Sequence, residues 1–170
     1  MLDSSLAAVS GSAPVPPASG SADIAETVLE QARERARAEG LPYAGGISPG
    51  DAWTLISDGR AVLVDVRTAE ERKFVGQVPA GLHVAWATGT SMNRNPRFVK
   101  ELEAKVRKDA LVVFLCRSGK RSALAAEAAA KAGFTQAFNI LEGFEGEIDA
   151  EQRRGGLGGW RFHGLPWIQD

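Results

Sequence analysis

Cys116 is the single cysteine of the chain. It ends an apolar run, Leu111-Val112-Val113-Phe114-Leu115, and opens a short basic loop, Cys116-Arg117-Ser118-Gly119-Lys120-Arg121. An alanine-rich stretch, Ser122 to Ala132, follows. The order reads strand, tight loop, helix. A thiol at that junction faces backbone N–H groups, the positive end of a helix dipole and three cationic side chains. All of these favour the thiolate, which is the nucleophile. A lone cysteine is more often a small buried hydrophobe. This one instead terminates its strand, where open α/β sheets place their ligands, and the loop after it has no large apolar residue to bury. The pattern points to chemistry at Cys116, with its side chain at the rim of the packing rather than the centre.

One cysteine excludes an internal disulfide framework and a multi-thiolate zinc site. It also leaves no resolving thiol in the chain, so anything bound to Cys116 must leave to an external acceptor. The 170 residues suffice for one well-cored domain. Hydrophobic residues at 44% and charged residues at 24% are globular values. With 20 basic and 21 acidic residues the net charge is −1, so no global field draws in nucleic acid or an anionic membrane. No apolar stretch is long enough to span a bilayer. Leu6-Ala7-Ala8-Val9 is too short for a signal-peptide core, and the expected location is the cytoplasm.

The elements that position Cys116 follow from periodicity. Residues 1–20, rich in Ser, Ala, Pro and Gly, are expected to form a flexible tail. Residues 21–40 read as an N-terminal helix from Asp23 to Glu39. Asp23 and Glu26 have capping-box spacing, and Ile24, Val28, Ala32 and Ala36 form a thin apolar stripe. That helix is expected at the edge of a domain spanning 41–170. Ser48 and Pro49 cap and open the next helix. Ala61 to Val66 reads as a strand buried on both faces, interrupted by Asp65, whose carboxylate needs a partner. His83 to Trp86, Leu111 to Leu115 and Ala137 to Leu141 are further strands, and Phe98 to Lys108 is an amphipathic helix. Alternating strands and helices imply an α/β fold in three layers, a mostly parallel sheet with helices on both faces. The glycine-rich stretch 143–159 reads as an irregular surface loop, and Trp160 to Trp167 as a segment folding back onto the core.

Three pieces together resemble the rhodanese family of sulfurtransferases: Leu63-Val64-Asp65-Val66-Arg67, then Gly76-Gln77-Val78-Pro79-Ala80-Gly81-Leu82-His83-Val84, then Cys116 to Ser122. Leu141-Glu142-Gly143 and Gly158-Gly159-Trp160 with Gly164-Leu165-Pro166 extend the likeness, which covers residues 45–168. Family members often carry Gly-His-Ile-Pro-Gly-Ala at the second piece, where this chain has Gln77 and a reversed Ala80-Gly81. It also carries an insertion between Gly143 and Gly158.

The resemblance implies a sulfurtransferase with a persulfide on Cys116 and no metal or organic cofactor. Its partners would be a small sulfur-donor anion such as thiosulfate and an external acceptor: a thiol, cyanide or a protein. A non-turnover sulfur carrier or sensor fits the same loop. Four residues separate Cys116 from Arg121. Cysteine phosphatases and arsenate reductases space this pair one residue further, and here that position is Ser122. The shorter loop suits one terminal sulfur and crowds a tetrahedral phosphate. Arg117, Lys120 and Arg121 would attract the donor, with Arg121 expected to turn inward and pair with Asp65. Gly119 would supply a backbone conformation closed to side chains. Ser118 is either a hydrogen-bond donor or merely a small loop residue. Arg67 supports the site through the Asp65-Val66-Arg67 motif. His83 is expected to bond locally, His163 to lie at the surface, and the four tryptophans to pack.

Overall fold

The computed structural model describes residues 19–170, and residues 1–18 of the tail expected at 1–20 lie outside them. The helix α1 (Ser19–Glu39) is followed by β1 (Gly45–Ile47), α2 (Pro49–Ser57), β2 (Val62–Asp65), α3 (Ala69–Phe74) and β3 (Leu82–His83). A small hairpin, β4 (Ala87–Thr88) and β5 (Asn93–Arg94), precedes α4 (Phe98–Lys105), β6 (Leu111–Leu115), α5 (Lys120–Lys131) and β7 (Gln136–Ile140). Five strands form one parallel sheet in the order β1-β7-β6-β2-β3. Among the described residues no helix is long and apolar enough to cross a membrane.

The sheet is apolar on both faces because alternate strand residues enter two separate cores. Leu63, Leu111, Val113, Leu115, Phe138 and Ile140 face α1 and α2, together with Phe144 and Trp160. Val64, Val66, Val112, Phe114 and Ala137 face α4 and α5, and Cys116 continues that series. The alternation therefore commits the cysteine to the α5 side before any loop geometry is considered. Inward residues of α5 are Ser122, Ala125, Ala126 and Ala129, small enough to bring its first turn close to the sheet. Ser48 accepts from Asp51 N–H and Pro49 opens α2, the cap read from sequence.

Two features of α1 differ from expectation. It already runs at Ser19, so Asp23 lies inside the helix and does not cap it. Its buried stripe is Ala25, Leu29, Ala32 and Ala36, while Ile24 is 69% exposed. A strict four-residue spacing drifts by roughly 40° per step on a 3.6-residue turn, and the mixed spacing of four and three keeps to one face. The helix packs on edge strand β1 and adds Ala25, Leu29 and Ala32 to the adjoining core. α3 and the β4–β5 hairpin were not legible beforehand. The former is opened by a Thr68–Glu71 capping box.

The 143–159 segment is more than a surface loop. Phe144 is fully buried, and the backbone of the segment is sewn to the end of β6, as Phe144 N–H donates to Cys116 O at 2.8 Å and Glu145 N–H to Arg117 O at 2.9 Å. Trp160 closes it from the other end, donating its backbone N–H to Gly143 O at 2.8 Å and stacking edge-on with Trp53.

Candidate active site

Cys116 lies one residue beyond β6, and its Sγ turns inward under its own loop. Gly119 N–H donates to Sγ at 3.1 Å, and the Ser122 hydroxyl sits 3.1 Å from it. The thiol is 1% exposed. That corrects the expectation of a rim position: the sheet alternation that sends Cys116 to the α5 face also buries it. The atoms above it are more open, with Arg117, Ser118 and Gly119 half-buried and Lys120 exposed.

The loop owes its shape to Gly119. Its φ of 99° lies in the left-handed region that side chains disfavour. The turn it makes brings its own N–H onto Sγ at 3.1 Å. Gly119 serves as the N-cap of α5 without a side-chain cap, so the first-turn amides of the helix are unclaimed. Among the described residues, the N–H groups of Arg117, Ser118, Lys120, Arg121 and Ser122 have no acceptor. Such a cluster at a helix N-terminus suits a small anion beside Sγ.

Gly143 fits beneath the loop for a different reason. At φ 67°, a Cβ there would stand 2.5 Å from the Arg117 carbonyl and 2.6 Å from Cys116 O. Only a residue without a side chain lets the 143–159 segment bond to the backbone at Cys116 and Arg117.

The Arg121–Asp65 pair expected from sequence does not form. Arg121 makes a bidentate bridge to Glu71, NH1 to Oε2 at 2.8 Å and NH2 to Oε1 at 2.7 Å. Asp65 instead holds Arg67, whose Nε lies 3.0 Å from Oδ1 and whose NH2 lies 2.8 Å from Oδ2, and Arg72 Nε approaches to 3.3 Å. The physical reason is again alternation. Val64 and Val66 face α5, so Asp65 between them and Arg67 after them face the other way. Arg67 also donates to Gly76 O at 2.8 Å and stacks 4.2 Å from the centre of the Phe144 ring. Asp65 and Arg67 thus brace Phe144, which in turn bonds to the backbone of Cys116.

Burial opposes ionisation of Glu71. The Arg121 guanidinium and the Thr68 N–H outweigh it and hold the carboxyl below its ordinary range. For Arg121, burial likewise opposes charge, and Glu71, with smaller help from Cys116 and Asp65, pushes its ionisation further up. The bridge leaves Arg117 and Lys120 as the loop cations not engaged with a carboxylate among the described residues.

His83 Nε2 lies 2.7 Å from Arg67 O, the local bond expected of it. His163 is partly exposed and contacts Glu142 Oε1 at 2.9 Å. Sequence reasoning missed Glu71, Asn139, Gly143 and Phe144. The Thr68-x-x-Glu71 spacing was the available signal for the first, and an isolated Asn within an apolar strand for the second. Among the described residues no cluster of three His, Cys, Asp or Glu is arranged for a metal ion.

The model of the rhodanese-like domain family matches residues 48–148. The chain is 36% identical over 119 residues to the uncharacterised RP600 homolog of Rickettsia rickettsii, with 66% of this chain and 87% of that protein covered. Among solved structures, Rv0390 of M. tuberculosis is 48% identical with a TM-score of 0.69, covering 75% of this chain and 99% of that one. The polysulfide-sulfur transferase homodimer of Wolinella succinogenes shares the fold at 22% identity and a TM-score of 0.51, covering 87% of this chain and 94% of that one.

Proposed function

This chain belongs to the rhodanese-like domain family, and from that membership and the loop geometry we propose that it is a sulfurtransferase, moving sulfane sulfur from a donor such as thiosulfate to a thiophilic acceptor through a persulfide on Cys116. The observation that carries the reading is the set of unclaimed amides around an inward-turned Sγ. A thiolate Sγ attacks the outer sulfur of thiosulfate. The new S–S bond forms as the old one breaks, and its electron pair leaves with sulfite. The terminal sulfur then carries the negative charge, and the loop amides stabilise it without any proton transfer. Cyanide, a thiol or a protein nucleophile next attacks that sulfur, and the electron pair returns to Sγ.

Arg117 and Lys120 draw the dianionic donor to the loop, and Arg121 serves the site through its bridge to Glu71 rather than by meeting the donor. The tight Cys116–Arg121 spacing disfavours phosphate, so aryl phosphate hydrolysis is not expected. Thiocyanate formation from thiosulfate and cyanide tests the reading. Many turnovers per protein, abolished in Cys116→Ser, support an enzyme. One equivalent and no more would mean a sulfur carrier, and hydrolysis of an aryl phosphate in place of thiocyanate would overturn the sulfur chemistry.

A further inference from the structure

The pocket side of Cys116 holds a polar chain that the sulfur-transfer reading does not use. Ser122 Oγ is 3.1 Å from Cys116 Sγ and 2.6 Å from Asn139 Oδ1. Asn139 Nδ2 donates to Gly119 O at 3.1 Å. Ser122 is fully buried and Asn139 is 5% exposed. Strand alternation puts the two strand residues there: Asn139 follows Ala137 on the α5 face of β7 and pairs in register with Phe114, two residues before Cys116. Ser122 is the first inward residue of α5.

The bond to Gly119 O fixes which way the Asn139 amide lies. With Nδ2 committed to a carbonyl, Oδ1 must face Ser122 and can only accept. A serine hydroxyl has one hydrogen. Two acceptors, Asn139 Oδ1 and Sγ, therefore compete for a single proton donor that is itself buried. A neutral thiol or the bridging sulfur of a persulfide is a weak acceptor, and the amide oxygen wins. A thiolate is a charged acceptor, whose hydrogen bonds are roughly twice as strong as neutral ones.

Resting on the sulfurtransferase reading, we propose that Ser122 carries a two-position hydroxyl, donating to Asn139 when Cys116 is a thiol or persulfide and to Sγ when it is a thiolate, so that Asn139 sets how readily Cys116 is loaded and discharged. Ser122 stabilises the leaving thiolate as the acceptor removes the outer sulfur. Asn139 opposes this by holding the hydroxyl back, and so favours the loaded state. Ser122 meets the reacting sulfur directly, whereas Asn139 is a positioning residue that touches neither donor, acceptor nor Sγ.

The two side chains then have opposite effects. Ser122→Ala deprives the thiolate of its donor and shifts the equilibrium of thiosulfate plus protein with sulfite plus persulfide towards persulfide. Asn139→Leu frees the hydroxyl for Sγ and shifts it back. Each change is about three- to tenfold, the worth of one hydrogen bond. The double variant is expected to match Ser122→Ala; a double variant that departs from it would place the effect of Asn139 in its bond to Gly119 O, and not in Ser122.

The persulfide fraction, read by intact mass at fixed thiosulfate-to-sulfite ratios, gives these constants. The pH profile of iodoacetamide alkylation gives a second readout that needs no sulfur transfer: its midpoint moves up by about half a pH unit or more in Ser122→Ala and down in Asn139→Leu. The charged groups near Cys116 are unchanged in each variant, namely Arg117 and Lys120 on the loop, Arg121 on α5 and its partner Glu71 on α3. Should Asn139→Leu fail to fold, Asn139→Ala makes the same comparison. Shifts of the same sign, or none, in the alkylation profile overturn the proposal. Opposite alkylation shifts without any sulfur uptake by the unaltered protein would uphold the hydroxyl switch and defeat the sulfurtransferase reading instead.

Discussion

Replacing Glu71 by Gln tests whether the Arg121 bridge anchors the Cys116 loop. Glu71 Oε2 accepts both Arg121 NH1 at 2.8 Å and Thr68 N–H at 2.9 Å, while Oε1 accepts Arg121 NH2 at 2.7 Å. The Gln oxygen takes over the first pair of bonds. Its NH2 then meets a guanidinium donor, so one charge-assisted bond and the ionic attraction are lost. Such bonds contribute about 1.5–3 kcal/mol. The side chains of Arg121 and Glu71 keep 17% and 13% of their exposure, so water discounts this to about 2 kcal/mol. A domain of this length melts about 2–4 °C lower per kcal/mol, so Glu71→Gln is expected to melt about 4–8 °C below the unaltered protein at pH 7.

The sign of the pH dependence follows from the carboxyl being held below its ordinary value of 4.5 in the fold. Its stabilisation is complete above the unfolded value and is lost as pH falls through the folded one. The gap in melting temperature therefore narrows as pH drops below about 4.5. Circular dichroism melts at pH 7 and at stepwise lower pH make the measurement. A gap under about 1 °C at neutral pH, or one that does not change with acid, refutes the reasoning.

Gly143→Ala and Gly155→Ala both place a side chain at positive φ, 67° and 90°, but only the first meets backbone within 2.5 Å while the second meets nothing within 4 Å. Urea denaturation is expected to show about 1–2 kcal/mol lost at Gly155 and a further 1–3 kcal/mol at Gly143, with impaired sulfur uptake in the latter alone; equal losses at both would contradict the packing. Arg67→Met leaves Asp65 buried with Arg72 as its remaining cation and should cost about 3–5 kcal/mol in the same assay. A loss under about 1 kcal/mol would mean the pair braces nothing.

The apolar runs and their interruptions made most of the sheet legible, because a parallel strand covered on both faces leaves few other readings of Leu111 to Leu115. The cysteine loop was legible for a related reason, since a basic, glycine-containing turn between strand and helix has few uses. Asp65 stands out in its apolar strand as a carboxylate in need of a partner, and that partner is Arg67, not Arg121. Strand alternation, applied strictly, sends Asp65 and Cys116 to opposite faces and rules out Arg121. The true partner of Arg121 lies fifty residues away on a helix too short to announce itself by periodicity. Burial of Cys116 follows from the same alternation, which outweighs its place at the end of a strand. The role of Gly143 had no local signal, since it depends on where a distant backbone passes.

Intact mass of the purified protein after thiosulfate treatment tests the central claim most directly. The account predicts the gain of one sulfur atom, reversed by cyanide and absent from a folded Cys116→Ser variant. An unchanged mass in the intact protein, or the same gain in the variant, would contradict it.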